Sequence, residues 1–317
     1  MKQTPYLLIF LFLLAGLHSH AQYTDVINSN RPGSSDGAFA VGKNVLQGEF
    51  GILYEKQEHS GLLTETNDLG LSFAIRYGFL FEELEVLWEG TYIFQEFTFN
   101  GFNPPLQFNN NDFLMHTIGA KYLVYDPYKK ERKPNLYSWR ANNKFQWRDL
   151  IPSISVYAGA NLFFADNPFV PEDTSISPKV AVLLQNHFPG NWVLVSNIIY
   201  DRFTEDDPIL SYIITLTHAL NNPKWSIFIE NQGVNSDDYA DVIFRGGAAH
   251  LINKNLQVDA LVGFNVKDTP SRLFGAIGVS FRLDYHKDEL IIIDDSNLRK
   301  DKKKRKKKNK DPFIIDN

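Results

Sequence analysis

The sequence predicts an all-β fold: an antiparallel transmembrane β-barrel of about 12 strands, with an N-terminal signal peptide and a disordered basic C-terminal tail. Three observations predict it. Beyond residue 21, segments of about ten residues alternate apolar and polar side chains, as strands do when one face meets lipid and the other a lumen. The connections between them alternate between short and long, the outer-membrane arrangement of tight turns inside and larger loops outside. No later apolar run reaches the roughly 20 residues that a membrane-spanning helix needs. The mean hydropathy of −0.25 beside 14% aromatic residues fits a chain whose membrane face is hidden in alternation.

The export signal comes first. Lys2 gives a basic start and Tyr6 to Leu17 is an apolar run of signal-peptide length, too short for an anchor. Ser19, His20 and Ala21 form a small-x-small site, which predicts cleavage between Ala21 and Gln22. With no cysteine in the chain, lipoprotein anchoring, disulfides and thiolate metal sites are excluded. The organisation that follows is a signal peptide (1–21), an N-terminal leader or plug (22–44), a barrel (45–283) and a charged periplasmic tail (284–317). The stretch from Tyr23 to Asn44, with Gly33, Gly37 and Gly42, is either inserted in the lumen or a periplasmic leader.

The strands are placed by their period of two. In Val45 to Gln57, Leu46, Phe50, Ile52 and Tyr54 oppose Gln47, Glu49, Glu55 and Gln57. In Leu69 to Tyr77 the odd positions are apolar and oppose Ser72 and Arg76. In Glu83 to Glu96, Leu84, Val86, Trp88, Tyr92 and Phe94 oppose Glu83, Glu85, Glu89 and Gln95. Nine further segments follow: Asp112 to Tyr125, Ser153 to Phe164, Pro178 to Asn186, Trp192 to Tyr200, Leu210 to Leu220, Lys224 to Gln232, Asp241 to Leu251, Leu256 to Val266 and Leu273 to Leu283. An even total suits a single-chain bacterial barrel. Tyr54, Tyr77, Tyr92, Tyr122 and Tyr200 fall near strand ends, where amphipathic rings form interface girdles.

Short turns are expected around Gly78, Pro189 to Asn191, Asn221 to Pro223 and Asn253 to Asn255. Longer loops are expected over Glu58 to Asn67, Phe97 to Asn111, Ala165 to Ile176, Asp201 to Pro208 and Gly233 to Tyr239. One connection breaks the rule: Asp126 to Leu150 is long and basic yet falls on the turn side, so it holds a short helix, extends a strand or marks a miscount.

Charge separates body from tail. Among 32 basic and 37 acidic residues, 20 and 29 lie between residues 22 and 283, so the body is near −9. The lumen-facing candidates are Glu49, Glu55, Glu83, Glu85, Glu89, Glu230 and Asp259, balanced by Arg76, Lys121, Lys179, Arg245 and Arg282. An open lumen of this kind favours cations. A closed one makes the same residues a salt-bridged packing core, the reading favoured by so small a barrel. From Arg299 to Lys310 the tail holds ten basic residues against Asp301 alone. Such a block is self-repelling and suits contact with an anionic cell-wall polymer or membrane surface, or no specific partner. Nucleic acid is not an expected partner, because aromatic interleaving and a folded basic groove are missing.

Enzymatic signatures are poor. His59, His116, His187, His218, His250 and His286 are scattered, with no metal-ligand spacing, nucleophile elbow or phosphate loop, so no catalytic residue, metal or cofactor is expected. Lipid hydrolases that build Ser and His on the lipid-facing wall keep His116 and His218 in view as outward candidates.

The segment Thr24 to Glu55, with Asn30-Arg31-Pro32-Gly33, Val41-Gly42-Lys43 and Gln47-x-Glu49-x-Gly51, resembles the start of the outer-membrane transporter-type barrels grouped as phenol-degradation meta-pathway proteins. Asn255 to Asn265 with Ser271 to Leu283 is similar to that family's closing hairpin, and Phe228 to Glu230 to an earlier strand. Gly278, Phe281 and Leu283 are spaced much as in the signal by which barrel-assembly machinery recognises a last strand. The resemblance implies a barrel in the bacterial outer membrane, in contact with its lipid, that moves small, apolar or aromatic compounds. The tail is a departure from a typical member. The competing reading is a structural or surface-binding barrel with a plugged lumen, and a lipid hydrolase ranks below both.

Overall fold

A computed structural model describes residues 26–129, 136–138, 144–163, 167–169 and 175–286. The expected signal peptide, with its Ala21/Gln22 cleavage site, and the basic block of the tail lie outside the described residues.

Twelve antiparallel strands close on themselves: β1 (Val45–His59), β2 (Thr64–Gly78), β3 (Leu84–Phe99), β4 (Leu106–Tyr125), β5 (Ser153–Leu162), β6 (Ile176–Phe188), β7 (Trp192–Asp201), β8 (Ile209–Ala219), β9 (Trp225–Asn235), β10 (Ala240–Asn253), β11 (Leu256–Asn265) and β12 (Ser271–Asp284). Each pairs with its chain neighbours, and β1 pairs with β12 from Val45↔Asp284 to Glu58↔Ser271. Closure leaves no unpaired edge, which a sheet in lipid requires. The sequence period marks these strands because every second side chain must be apolar on the outer face. Phe50, Ile52, Ile198, Ile229, Val262 and Ile277 are all exposed there.

Tyr54, Tyr77 and Tyr200 are exposed near strand ends, whereas Tyr92 is half-buried between Phe94 and Phe113. At the turn end, Trp192 stacks on His218 with ring centroids 4.2 Å apart, and Trp225 lies tilted against His250 at 4.3 Å. These paired rings add apolar area and a polar edge at the depth where a bilayer meets water.

Two expected loops are mostly strand. Thr64 to Asp68 and Leu106 to Asn111 pair as extensions of β2 and β4, leaving only residues 60–63 and 100–105 as connections. Polar runs such as Asn109-Asn110-Asn111 carry no alternation because strand projecting past the lipid has no apolar face to present. The basic connection after β4 holds a short 3-10 helix, Trp147–Leu150, and does not lengthen β4, which ends at Tyr125. Its position on the turn side stands, and the strand count with it. Glu83, expected inside a strand, is buried in the turn that precedes β3. The tight three-residue β6–β7 connection, Pro189 to Asn191, reverses the chain through positive φ at Gly190 (83°) and Asn191 (63°).

Replacing Ile229 by Arg places a charge mid-strand on the lipid face and should cost about 2–4 kcal/mol of barrel stability. Leu62→Arg, in the exposed β1–β2 connection, should stay within about 0.5 kcal/mol. Urea midpoints of the refolded barrels, read by heat-modifiable gel mobility, check both.

Candidate functional site

Residues 26–44 form neither helix nor strand, so the segment's backbone groups need partners from elsewhere. They find them on the inward side chains of the barrel. Asn30 N–H donates to Glu49 on β1 (3.3 Å), and Arg76 Nη1 on β2 donates to the Asn28 carbonyl (2.8 Å). Val41 N–H donates to Glu85 on β3 (2.8 Å), while Lys121 Nζ on β4 donates to the Gly37 carbonyl (2.9 Å). Ser155 Oγ on β5 donates to the Ala38 carbonyl, and Ala38 N–H donates to Gln185 on β6 (2.9 Å). Asn197 on β7 brackets Asp36, accepting from its N–H (2.7 Å) and donating to its carbonyl (2.9 Å). Thr215 on β8 meets Ser35 at 2.7 Å, Ser34 N–H donates to Glu230 on β9 (3.0 Å), and Ser29 and Ser280 on β12 pair at 2.8 Å. With Arg31 on Asp259 of β11, the segment is hydrogen-bonded to every strand except β10 among the described residues. It runs inside the barrel, then turns into β1 through Gly42 at φ 94°.

The charged candidates fall into groups around this segment. The largest lies on β1–β4: Arg76 Nε to Glu85 at 2.7 Å, Arg76 Nη1 to Glu49 at 3.3 Å and Lys121 Nζ to Glu85 at 3.3 Å, with Arg76 and Glu85 fully buried. Lys179 pairs with Glu89 (3.1 Å), Arg245 with Glu230 (2.9 Å), Arg272 with Glu55 (2.5 Å) and Arg31 with Asp259 (3.1 Å). Arg282 pairs with Asp284 at the end of β12 (3.2 Å). Glu83 is buried apart from these pairs. The excess acid of the lumen is therefore largely consumed by fixed partners, and a low-dielectric lumen makes each such pairing necessary.

The other wall differs. From β6 to β10 many inward positions are apolar, including Leu183, Val193, Val195, Ile213, Phe228 and Ile243. The expected polar-in alternation fails there because the segment and the wall pack against each other as a core. Between them lies a cavity of about 220 Å³, bounded by Ile27 to Gly33, Ser35 and Gly37 on one side and by Val193, Val195, Thr215, Thr217, Phe228 and Ala249 on the other. Hydroxyls, amides and hydrocarbon make up most of its lining, Arg31 borders it as the one charged residue, and no Asp or Glu does.

At the loop end, Tyr239 donates to Asp241 at 2.5 Å, and Asn265 Nδ2 donates to the same carboxylate at 3.0 Å. Burial and the Asp241 contact push the Tyr239 hydroxyl up to about 12, so it remains a donor at neutral pH.

Sequence reasoning missed Asp36, Asn197, Gln185 and Arg31, whose importance lies in what they touch across the lumen. The Asn30-Arg31-Pro32-Gly33 stretch and the glycines of the leader were the available signal. The outward histidine candidates sit among aromatic rings: His116 accepts from Trp88 Nε1 at 2.8 Å, and His218 is stacked on Trp192. Among the described residues no three His, Asp or Glu side chains converge as a metal site.

A family model described as "Putative MetA-pathway of phenol degradation" matches residues 29–283. Among solved structures, the chain is similar to an outer membrane channel from Pseudomonas putida F1 (TM-score 0.50, 11% identity, covering 81% of this chain and 100% of that one). It is also similar to the CymD monoaromatic hydrocarbon channel (0.42, 8%, 77% and 90%) and to the NanC porin (0.41, 12%, 73% and 100%). No curated protein sequence matches it.

Arg76→Ala leaves Glu49 and Glu85 buried without their shared cation and should cost about 3–5 kcal/mol. Arg76→Ala with Glu85→Ala should cost less than the sum of the two single changes, since neither leaves the other partner stranded. Urea unfolding of the three variants tests this.

Proposed function

Because the chain belongs to the phenol-degradation MetA-pathway family, whose model spans 29–283, we propose that it is an outer-membrane channel for small apolar or aromatic compounds. Its barrel is of the outer-membrane kind, closed in twelve strands with an apolar outer band, and it shares its fold with an outer membrane channel. The observation that carries the solute class is the cavity beside the inserted segment. It offers hydrocarbon and neutral hydrogen-bonding groups beside a single cation, Arg31, whose charge is already met by Asp259, and its roughly 220 Å³ corresponds to about seven waters, room for one ring-sized molecule.

Ion pairing supports the same reading. A water-filled pore selects by unpaired charge at its narrowest point. Here Glu85, Glu89 and Glu230 are held by Arg and Lys or by the segment's own amides, so they leave little free charge to draw cations in, and the inserted segment occupies the water-filled path that ions would need. A neutral solute crossing the barrel passes along the apolar β6–β10 wall and displaces the segment locally as it goes.

Liposomes containing the refolded protein should take up a neutral single-ring alcohol faster than empty liposomes, while conductance in a planar bilayer stays small. Ala249→Trp fills the cavity and should slow uptake while lowering the unfolding free energy in urea by no more than about 1–3 kcal/mol. Uptake unchanged by Ala249→Trp would place the route elsewhere, and the absence of uptake by the folded barrel would favour a sealed, structural barrel.

A further inference from the structure

Gly51 on β1 and Gly278 on β12 face each other in register across the seam that closes the barrel. Both are inward positions, flanked by inward Glu49 and Ser280, which carry side chains. Two opposed glycines weaken a strand pair and mark a place where another group comes close to the backbone. That group is the guanidinium of Arg31. A side-chain carbon at either glycine would stand within 2.6 Å of it. The planar group therefore lies flat in a notch that any other residue at these two positions would fill.

From this notch Arg31 reaches both sides of the seam. Its Nη2 and Nε form a fork on Asp259 of β11, at 3.1 Å and 3.3 Å, and its Nη1 donates to Ser72 Oγ of β2 at 3.3 Å. Gln257 Nε2 of β11 donates to the Arg31 carbonyl (3.2 Å), and the Arg31 N–H donates to Ser29 Oγ (3.0 Å), which itself meets Ser280 of β12. One residue of the segment thus touches β11, β12, β1 and β2. The Asp259 side chain is fully buried, so withdrawing Arg31 strands a carboxylate.

We infer that Arg31 is a latch that holds the inserted segment in place and so gates the route past it, with the Gly51/Gly278 notch and Asp259 as its receptacle. While the guanidinium is seated, the segment stays on the β1/β12 wall and the route past it is narrow. When it leaves, the segment loses its tether and a passing solute can push it out of the lumen, so the route along the β6–β10 wall widens. The inference rests on the channel reading above. Lysine cannot replace arginine here, because an ammonium neither lies flat in the notch nor forks onto Asp259.

The test uses the full chain in liposomes, with uptake of a neutral single-ring alcohol as readout. Arg31→Lys and Gly278→Ala should each raise uptake about fivefold or more, and the double variant no further than either alone, since both empty the same seat. In the cysteine-free background, a Ser34→Cys reporter should react faster with a soluble maleimide in both variants than in the parent chain. A purely structural role would lower the urea midpoint without moving uptake or labelling. Arg31 lies outside the strands, so Arg31→Lys tests the idea even if Gly278→Ala does not fold. Variants that match a wild type showing uptake overturn the latch and leave the channel standing. Fully additive effects also overturn the latch. Absence of uptake in wild type and variants alike overturns the channel reading.

Discussion

An irregular stretch of backbone can run through a membrane barrel only if the wall meets its amides and carbonyls, and most of this lumen follows from that requirement. The carboxylates of Glu49, Glu85 and Glu230, the amides of Gln185 and Asn197 and the ammonium of Lys121 each accept from or donate to the backbone of residues 28–41. Remove the segment and these groups are a lining of polar side chains with no common purpose. With it in place they form one satisfied network. Arg76 is the joint between the two parts, bonded to Glu49 and Glu85 on the wall and to Asn28 in the segment.

The same arrangement divides the lumen by chemistry. The largest charge network lies on β1–β4, and the apolar inward positions that border the cavity lie on β6–β10, where the charges of Lys179, Glu230 and Arg245 are paired as well. A solute that carries charge meets partners already taken and loses its own water on entry. A small neutral molecule gives up little hydration and gains contact with Val193, Val195 and Phe228. Selection against ions and for neutral compounds is thus a property of how the segment is bonded, more than of the width of the barrel.

The strands were legible because lipid imposes a strict rule: from Leu46 to Tyr54 every outward position had to be apolar or glycine, and the period of two showed it. The rule lapses outside the bilayer, so Asn109-Asn110-Asn111 read as loop although it pairs in β4. It also lapses inside wherever segment and wall pack together, and Val193, Val195 and Ile213 gave no sign of which face they shared. The charged residues of the lumen were legible one by one on their strands. Their partners were not, since pairing depends on which positions the barrel's register brings level. Arg76 and Glu85 lie on adjacent strands, but Asp36 and Asn197 are joined only by the path of the segment. The Gly51/Gly278 notch was invisible for the same reason: each glycine alone is an ordinary strand residue, and only the β1–β12 register sets them side by side.

The most direct test of the account is to fasten the segment to the wall. The chain has no cysteine, and Ser29 Oγ and Ser280 Oγ are 2.8 Å apart, close enough for a disulfide in Ser29→Cys/Ser280→Cys after small adjustment. This disulfide should form in the folded barrel under mild oxidation, and the oxidised protein should take up a neutral single-ring alcohol more slowly than the same protein after reduction. Failure of the two thiols to bridge in the folded barrel, or equal uptake before and after reduction, would contradict the account.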